Sequence, residues 1–163
     1  MDVPFSGTSE TGEFSMNGHL ANSLRVLIVD DSLDTASSLA ALLRLWGHCV
    51  ELAHDGPSAI ETAAAFRPEA VILDIGLPQM DGFEVASRLR GCTDFGGMLI
   101  VGSSGYGRES DRRRANEVGI DIYLVKPFDP FRLESILDAH RAEPQTVPAP
   151  FDRSGSAACP SLE

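Results

Sequence analysis

Lys126 is the only lysine in a chain whose other basic charge sits on twelve arginines, and it ends a short apolar run, Ile122-Tyr123-Leu124-Val125-Lys126-Pro127-Phe128. Three earlier apolar runs also end in polar groups. Arg25-Val26-Leu27-Ile28-Val29 leads into Asp30-Asp31, Ala70-Val71-Ile72-Leu73 into Asp74, and Met98-Leu99-Ile100-Val101 into Gly102-Ser103-Ser104. As parallel strands these runs would end side by side, gathering three carboxylates, a hydroxyl and an ammonium in one crevice. Such a set suits phosphoryl chemistry on a carboxylate, assisted by a divalent cation.

Two carboxylates about 4 Å apart repel by roughly 4 kcal/mol at an effective dielectric of 20. Three in one crevice therefore invite a cation. Oxygen donors favour a hard ion, and Mg²⁺ takes one or two carboxylates while keeping several waters. Asp31 and Asp74 are expected as direct ligands, with the backbone carbonyl of Gly76 as a third, and Asp30 as the holder of a metal-bound water. Asp74 is the natural nucleophile, since a carboxylate can attack phosphorus to give an acyl phosphate. Lys126 offers a compact cation to a non-bridging phosphoryl oxygen, and Ser104 a hydrogen bond to another.

The elements that must position these groups follow from periodicity and punctuation. Strands are predicted at 25–29, 49–53, 70–74, 98–102 and 122–125, and helices near 34–46, 57–66, 83–90, 109–118 and 130–141. Leu39, Leu42, Leu43 and Trp46 form the apolar stripe of the first helix, and Gly47 follows where a left-handed cap belongs. Pro57 fits the first turn of the second helix. The strands are nearly continuous in apolar residues, as in a parallel sheet covered on both faces. Five βα units with right-handed crossovers predict an α/β, doubly wound three-layer sandwich. Its ligands bind beyond the carboxyl ends of the strands, where every residue named above falls.

Composition narrows the function. A formal charge of −11 argues against broad nucleic-acid binding, because a phosphate-binding face needs basic side chains. No apolar run reaches the ~18 residues of a membrane span. Cys49, Cys92 and Cys159 are far apart and odd in number; they read as reduced, structural thiols and point weakly to the cytoplasm. Residues 1–22 are rich in Ser, Gly and Thr and are expected to be a disordered extension. Residues 142–163, with four prolines, read as a flexible tail too short for an output domain. One domain at 23–141 remains.

The pair Asp30-Asp31, the run Val71-Ile72-Leu73-Asp74-Ile75-Gly76-Leu77-Pro78-Gln79-Met80-Asp81-Gly82, and Lys126-Pro127-Phe128 together resemble the receiver domain of two-component response regulators. The resemblance covers about residues 24–141, in order and at family-like spacings. It implies a flavodoxin-like (βα)5 fold with strand order 2-1-3-4-5, a class for which a chemotaxis member of this same family is a standard example. It also implies Asp74 as phosphoacceptor, Asp30 and Asp31 as the acidic metal pocket, Ser104 as switch hydroxyl, Lys126 as phosphoryl contact and Tyr123 as the aromatic that turns inward on activation. The donor would be a phosphohistidine on a sensor histidine kinase or a phosphotransfer protein. Output would pass through the face formed by the fourth helix, fifth strand and fifth helix to an unnamed protein target, or the phosphoryl group would be relayed onward. Monomer and homodimer both remain open. The expectation is a stand-alone, cytoplasmic module that catalyses only its own phosphorylation and dephosphorylation.

The chain departs from the family at Gly102-Ser103-Ser104-Gly105-Tyr106-Gly107, where receivers often carry an apolar residue, threonine and alanine. The extra glycines predict a looser loop. Ser103, one residue out of register, should point to the opposite face of the strand from Ser104. Three other readings compete. An aspartyl phosphatase would place another acid two residues after Asp74, where Gly76 stands. A nucleotide or flavin binder would need glycines spaced differently from Gly102, Gly105 and Gly107. A receiver-like interaction module that works without phosphorylation is the remaining alternative.

Overall fold

The computed structural model describes residues 23–142; the expected extension, 1–22, lies outside them, as does the expected tail, 142–163, apart from Ala142, which belongs to the last helix. Strands β1 (Arg25–Val29), β2 (Cys49–Ala53), β3 (Ala70–Asp74), β4 (Leu99–Ser104) and β5 (Ile122–Val125) alternate with helices α1 (Leu33–Leu45), α2 (Gly56–Phe66), α3 (Gly82–Gly91), α4 (Glu109–Glu117) and α5 (Pro130–Ala142). A short 3-10 turn, Thr93–Phe95, precedes β4. All pairings are parallel and the strand order is β2-β1-β3-β4-β5, as expected.

Strand alternation sorts the core into two layers. Val26, Ile28, Ala70, Ile72, Leu99, Val101 and Leu124 pack with Ala36, Ala40 and Leu43 of α1 and with Leu133 and Leu137 of α5. Leu27, Val29, Val71, Leu73 and Ile100 face the other way, against Ala59 and Ala63 of α2, Phe83, Val85 and Leu89 of α3, and Ala115 of α4. Each fully buried aliphatic side chain contributes about 1.5–3 kcal/mol.

The helices begin on local caps. Ser32 caps α1 by accepting the Thr35 N–H, and Asp55 and Ser58 form a capping box on α2, with Pro57 in its first turn. Asp81 caps α3 by accepting the Glu84 N–H at 2.8 Å. Gly47 (φ 92°) and Gly119 (φ 86°) take the left-handed conformation just past α1 and α4.

Two expectations need correcting. β4 runs to Ser104 instead of ending at 102, because Gly102 and Ser103 stay in register with both β3 and β5 and Ser104 with β5; both serines are therefore strand residues. Cys49 is a free, exposed thiol, but Cys92 is disulfide-bonded, so the cysteines give no support to a reducing compartment. No helix among the described residues is long and apolar enough to cross a membrane.

Candidate functional site

One residue beyond β1 and at the last residue of β3, the alternation that buries Ile28 and Ile72 carries Asp30 and Asp74 onto the same sheet face. Just past β5, Lys126 occupies the corresponding place after Leu124. Its Nζ donates to Asp30 Oδ2 at 3.1 Å and lies 3.5 Å from Asp74 Oδ2. These groups are largely withdrawn from solvent, with side-chain exposures of 8% for Asp30, 13% for Asp74 and 29% for Lys126. Low exposure strengthens each charge–charge contact relative to water.

The carboxylates are held from the backbone. Asp30 Oδ1 accepts the Ser32 N–H at 2.9 Å. The Asp30 carbonyl lies 3.0 Å from His54 Nδ1, a link between the ends of β1 and β2 that sequence reasoning missed. Asp74 Oδ1 accepts the Gly76 N–H at 2.9 Å, and the Ile75 N–H donates to the Ser103 carbonyl at 2.8 Å. The Lys126 N–H donates to the Ser104 carbonyl at 2.7 Å, which ties the lysine to the end of β4. The Lys126–Pro127 peptide is cis.

Asp30, Asp31 and Asp74 each offer a carboxylate oxygen, all within 4.8 Å of one another. Three hard oxygen donors this close suit Mg²⁺, which is satisfied by one or two carboxylates plus waters. The donor set thus fits the ion expected from the sequence. Gly76, expected to lend its carbonyl, is placed beside Asp74 by the N–H bond just described. A cleft of about 400 Å³ opens beside the acidic pair, lined by Asp30, Asp74, Lys126 and Ser103 over an apolar wall that includes Leu39 and Phe128.

Ser104, like Asp31, Gly76 and Tyr123, is not among the residues that line this cleft. It faces the other side of the sheet, as the alternation required, and its Oγ accepts the Tyr106 N–H at 3.1 Å. Tyr123 lies on that side too, partly buried against the α2–α3–α4 layer. Its hydroxyl donates to the Tyr106 carbonyl at 2.9 Å, and the Arg112 guanidinium lies 5.7 Å from its ring centre. Ser104, Tyr106 and Tyr123 thus form one linked group at the β4–α4 loop, on the reverse face from the carboxylates.

Comparison with known proteins agrees with this arrangement. The family model described as the response regulator receiver domain matches residues 26–138. The response regulator MprA of Mycobacterium tuberculosis is 40% identical over 120 residues, which cover 74% of this chain and 50% of that protein. The chain therefore matches about half the length of such curated relatives. Among solved structures, the Vibrio cholerae chemotaxis protein CheY4 superposes with a TM-score of 0.68 at 30% identity, covering 72% of this chain and 98% of that one. The receiver domain of a Pseudomonas aeruginosa sensor histidine kinase, solved with magnesium coordinated in its active-site cleft, gives 0.67 at 28% identity, covering 73% and 98%. By the span of the family match and the strand-end chemistry together, the chain belongs to the response regulator receiver domains of two-component systems.

Proposed function

We propose that the chain takes a phosphoryl group from a phosphohistidine onto Asp74 and signals the change by protein contact. Receiver domains of response regulators interact with histidine kinases and bind Mg²⁺ at an acidic pocket. The observation that carries the proposal is the Lys126 ammonium set 3.1 Å from Asp30 and 3.5 Å from Asp74 beside a third carboxylate. In the reaction an Asp74 oxygen forms a bond to phosphorus as the phosphorus–nitrogen bond of the donor breaks. The nitrogen keeps the electron pair, and the product is an acyl phosphate. Lys126 neutralises the charge on a non-bridging phosphoryl oxygen and keeps the reacting carboxylate oriented. Mg²⁺ held by Asp31, Asp74 and the Gly76 carbonyl, with Asp30 reaching it through water, would reduce repulsion between the carboxylate and the incoming phosphoryl group.

The output follows from the linked group on the reverse face. Phosphorylation draws the Ser104 hydroxyl from the Tyr106 amide toward a phosphoryl oxygen. Tyr123, tied to the same loop, turns inward and the α4–β5–α5 face repacks as a population shift. That face contacts a protein target or a second copy of the chain, and the charge of −11 favours protein over nucleic acid as its partner. We place the reaction in the cytoplasm and assign no separate substrate, the chemistry being the protein's own phosphorylation and hydrolysis. The test is intact-mass spectrometry after incubation with Mg²⁺ and a small acyl phosphate, comparing wild type with Asp74→Asn. A phosphoryl adduct that requires Mg²⁺ and disappears in the variant is expected. Absence of an adduct, also with a panel of phosphorylated kinases, would leave the phosphorylation-independent interaction module as the reading.

A further inference from the structure

Between residues 108 and 114 four arginines stand against two acids, Glu109 and Asp111, so this stretch is locally basic in a chain of formal charge −11. The arginines divide into two kinds. Arg114 pairs with Asp81 at 2.9 Å and Arg113 reaches Glu109 at 3.8 Å. Arg108 and Arg112 are exposed, and neither has a carboxylate partner or a hydrogen-bond acceptor among the described residues. Each is held over a tyrosine instead. The Arg108 guanidinium lies 5.3 Å from the centre of the Tyr106 ring and that of Arg112 5.7 Å from the centre of the Tyr123 ring, within the reach of cation–π attraction. Arg108 caps α4 and Arg112 lies one turn further on, so the two point to the same side of the helix. Their supports are joined, because the Tyr123 hydroxyl donates to the Tyr106 carbonyl at 2.9 Å. Tyr106 itself is 68% exposed.

We infer that Arg108 and Arg112 form a clamp for an acidic segment of a partner protein. The inference rests on the output reading above and names the chemistry of the partner. A guanidinium presents a rigid fork of N–H donors that matches a carboxylate, and here two such forks stand one helical turn apart with their donors unused. Exposed tyrosine beside arginine is also the composition of strong contact points between proteins. The clamp is coupled to the phosphoryl site through Tyr123. When that ring turns inward, Arg112 loses its support, so the clamp holds its partner in the unphosphorylated state and loosens on phosphorylation. A long polyanion such as DNA suits it poorly, since the rest of the molecule is acidic.

The test is a titration of nitrogen-15-labelled protein with a hexaglutamate peptide at low salt, followed at the arginine Nε–Hε signals in NMR spectra. Those of Arg108 and Arg112 are expected to shift while those of Arg113 and Arg114 hold, and binding should weaken as salt is added. Arg108→Gln and Arg112→Gln should each weaken binding about threefold, as for loss of one exposed ion pair. Tyr123→Leu should weaken it about twofold through the lost cation–π support. Arg113→Gln, the same change in charge, should leave binding unaltered. Equal losses in all three arginine variants would overturn the inference, since net charge alone would then explain them. So would unmoved arginine signals, tighter binding of a short DNA strand of equal charge, or self-association of wild type that Arg112→Gln abolishes. Phosphorylation by a small acyl phosphate with Mg²⁺ should weaken peptide binding to wild type and leave Asp74→Asn unchanged; equally tight binding to the phosphorylated protein would overturn the coupling. Failure of the phosphoacceptor reading is a different result: no adduct forms on wild type, and the arginine signals of the unmodified protein still report whether the clamp binds.

Discussion

At Gly82 any side chain would have to enter space that backbone already fills. A Cβ built there comes within 2.6 Å of both the Asp74 carbonyl oxygen and the Ile75 Cα. The glycine N–H also donates to the Ile75 carbonyl at 3.1 Å, so the start of α3 is clasped against the residue that follows the phosphoacceptor. Gly82→Ala should cost about 1–3 kcal/mol, the usual range for forced overpacking, read as a lower urea midpoint with an unchanged slope. An unaltered midpoint would mean that this loop moves aside freely. The turn at Gly82 was legible in the sequence, because glycine after Asp81 announces a tight path. Ser103 was legible only in part. Strand alternation set it opposite Ser104, but with the strand expected to stop at 102 only the sheet register reveals that it shares a face with Asp74.

Between elements, Asp81 serves two helices at once. One oxygen caps α3, and the other pairs with Arg114 Nη2 of α4 at 2.9 Å, while that guanidinium lies 4.4 Å from the centre of the Phe83 ring. Loss of a cap costs about 1 kcal/mol, and a half-exposed ion pair contributes about 0–1 kcal/mol. Asp81→Ala should therefore destabilise by about 1–2 kcal/mol and Asp81→Asn, which can still cap, by less than about 1 kcal/mol, both measured by chemical denaturation. Equal losses would assign the effect to the ion pair instead of the cap. The run Arg112-Arg113-Arg114 has by composition alone the look of a solvated helix stripe. In the fold Arg114 is turned back to Asp81, Arg112 covers Tyr123, and Arg113 stays along its own helix within 3.8 Å of Glu109. Helix periodicity shows which residues share a face, but which neighbouring element that face meets depends on crossings that no local pattern encodes.

For the molecule as a whole, the strand order and the strand-end row were legible because both follow from βα alternation. The ties at the opposite end of the sheet were not. There Arg90 of α3 donates to the carbonyls of Gly119 and Met98 and pairs with Asp121, whose carboxylate also accepts the Ile100 N–H. His48, buried at that end, accepts the Leu24 N–H at 3.2 Å through Nδ1. Burial, and then the Arg141 charge, hold its pKa below the usual 6.5, against the opposing pull of Asp138 and Glu134. As pH falls below 6.5 the unfolded chain takes up a proton that the folded one resists, so stability falls until the lower folded value is passed. His48→Asn, which keeps an acceptor but cannot titrate, should flatten the decline in melting temperature across that window; an undiminished decline would place its origin elsewhere. Asp55 acts in a separate, more acidic window. The Ser58 N–H holds its carboxyl below 3.8, so its contribution is present above that value and lost as pH drops through the folded one. The same separation of ends sorts the chromophores. Trp46, the single tryptophan, closes α1, a helix of 13 residues and hence roughly 20 Å long, at the far end from the carboxylates. Both tyrosines, Tyr106 and Tyr123, sit at the loop beside Ser104 and are joined by a hydrogen bond. Tryptophan emission therefore reports unfolding and stays silent about the strand-end chemistry, whereas tyrosine absorbance reports the loop, so two optical channels read the two halves of one molecule independently.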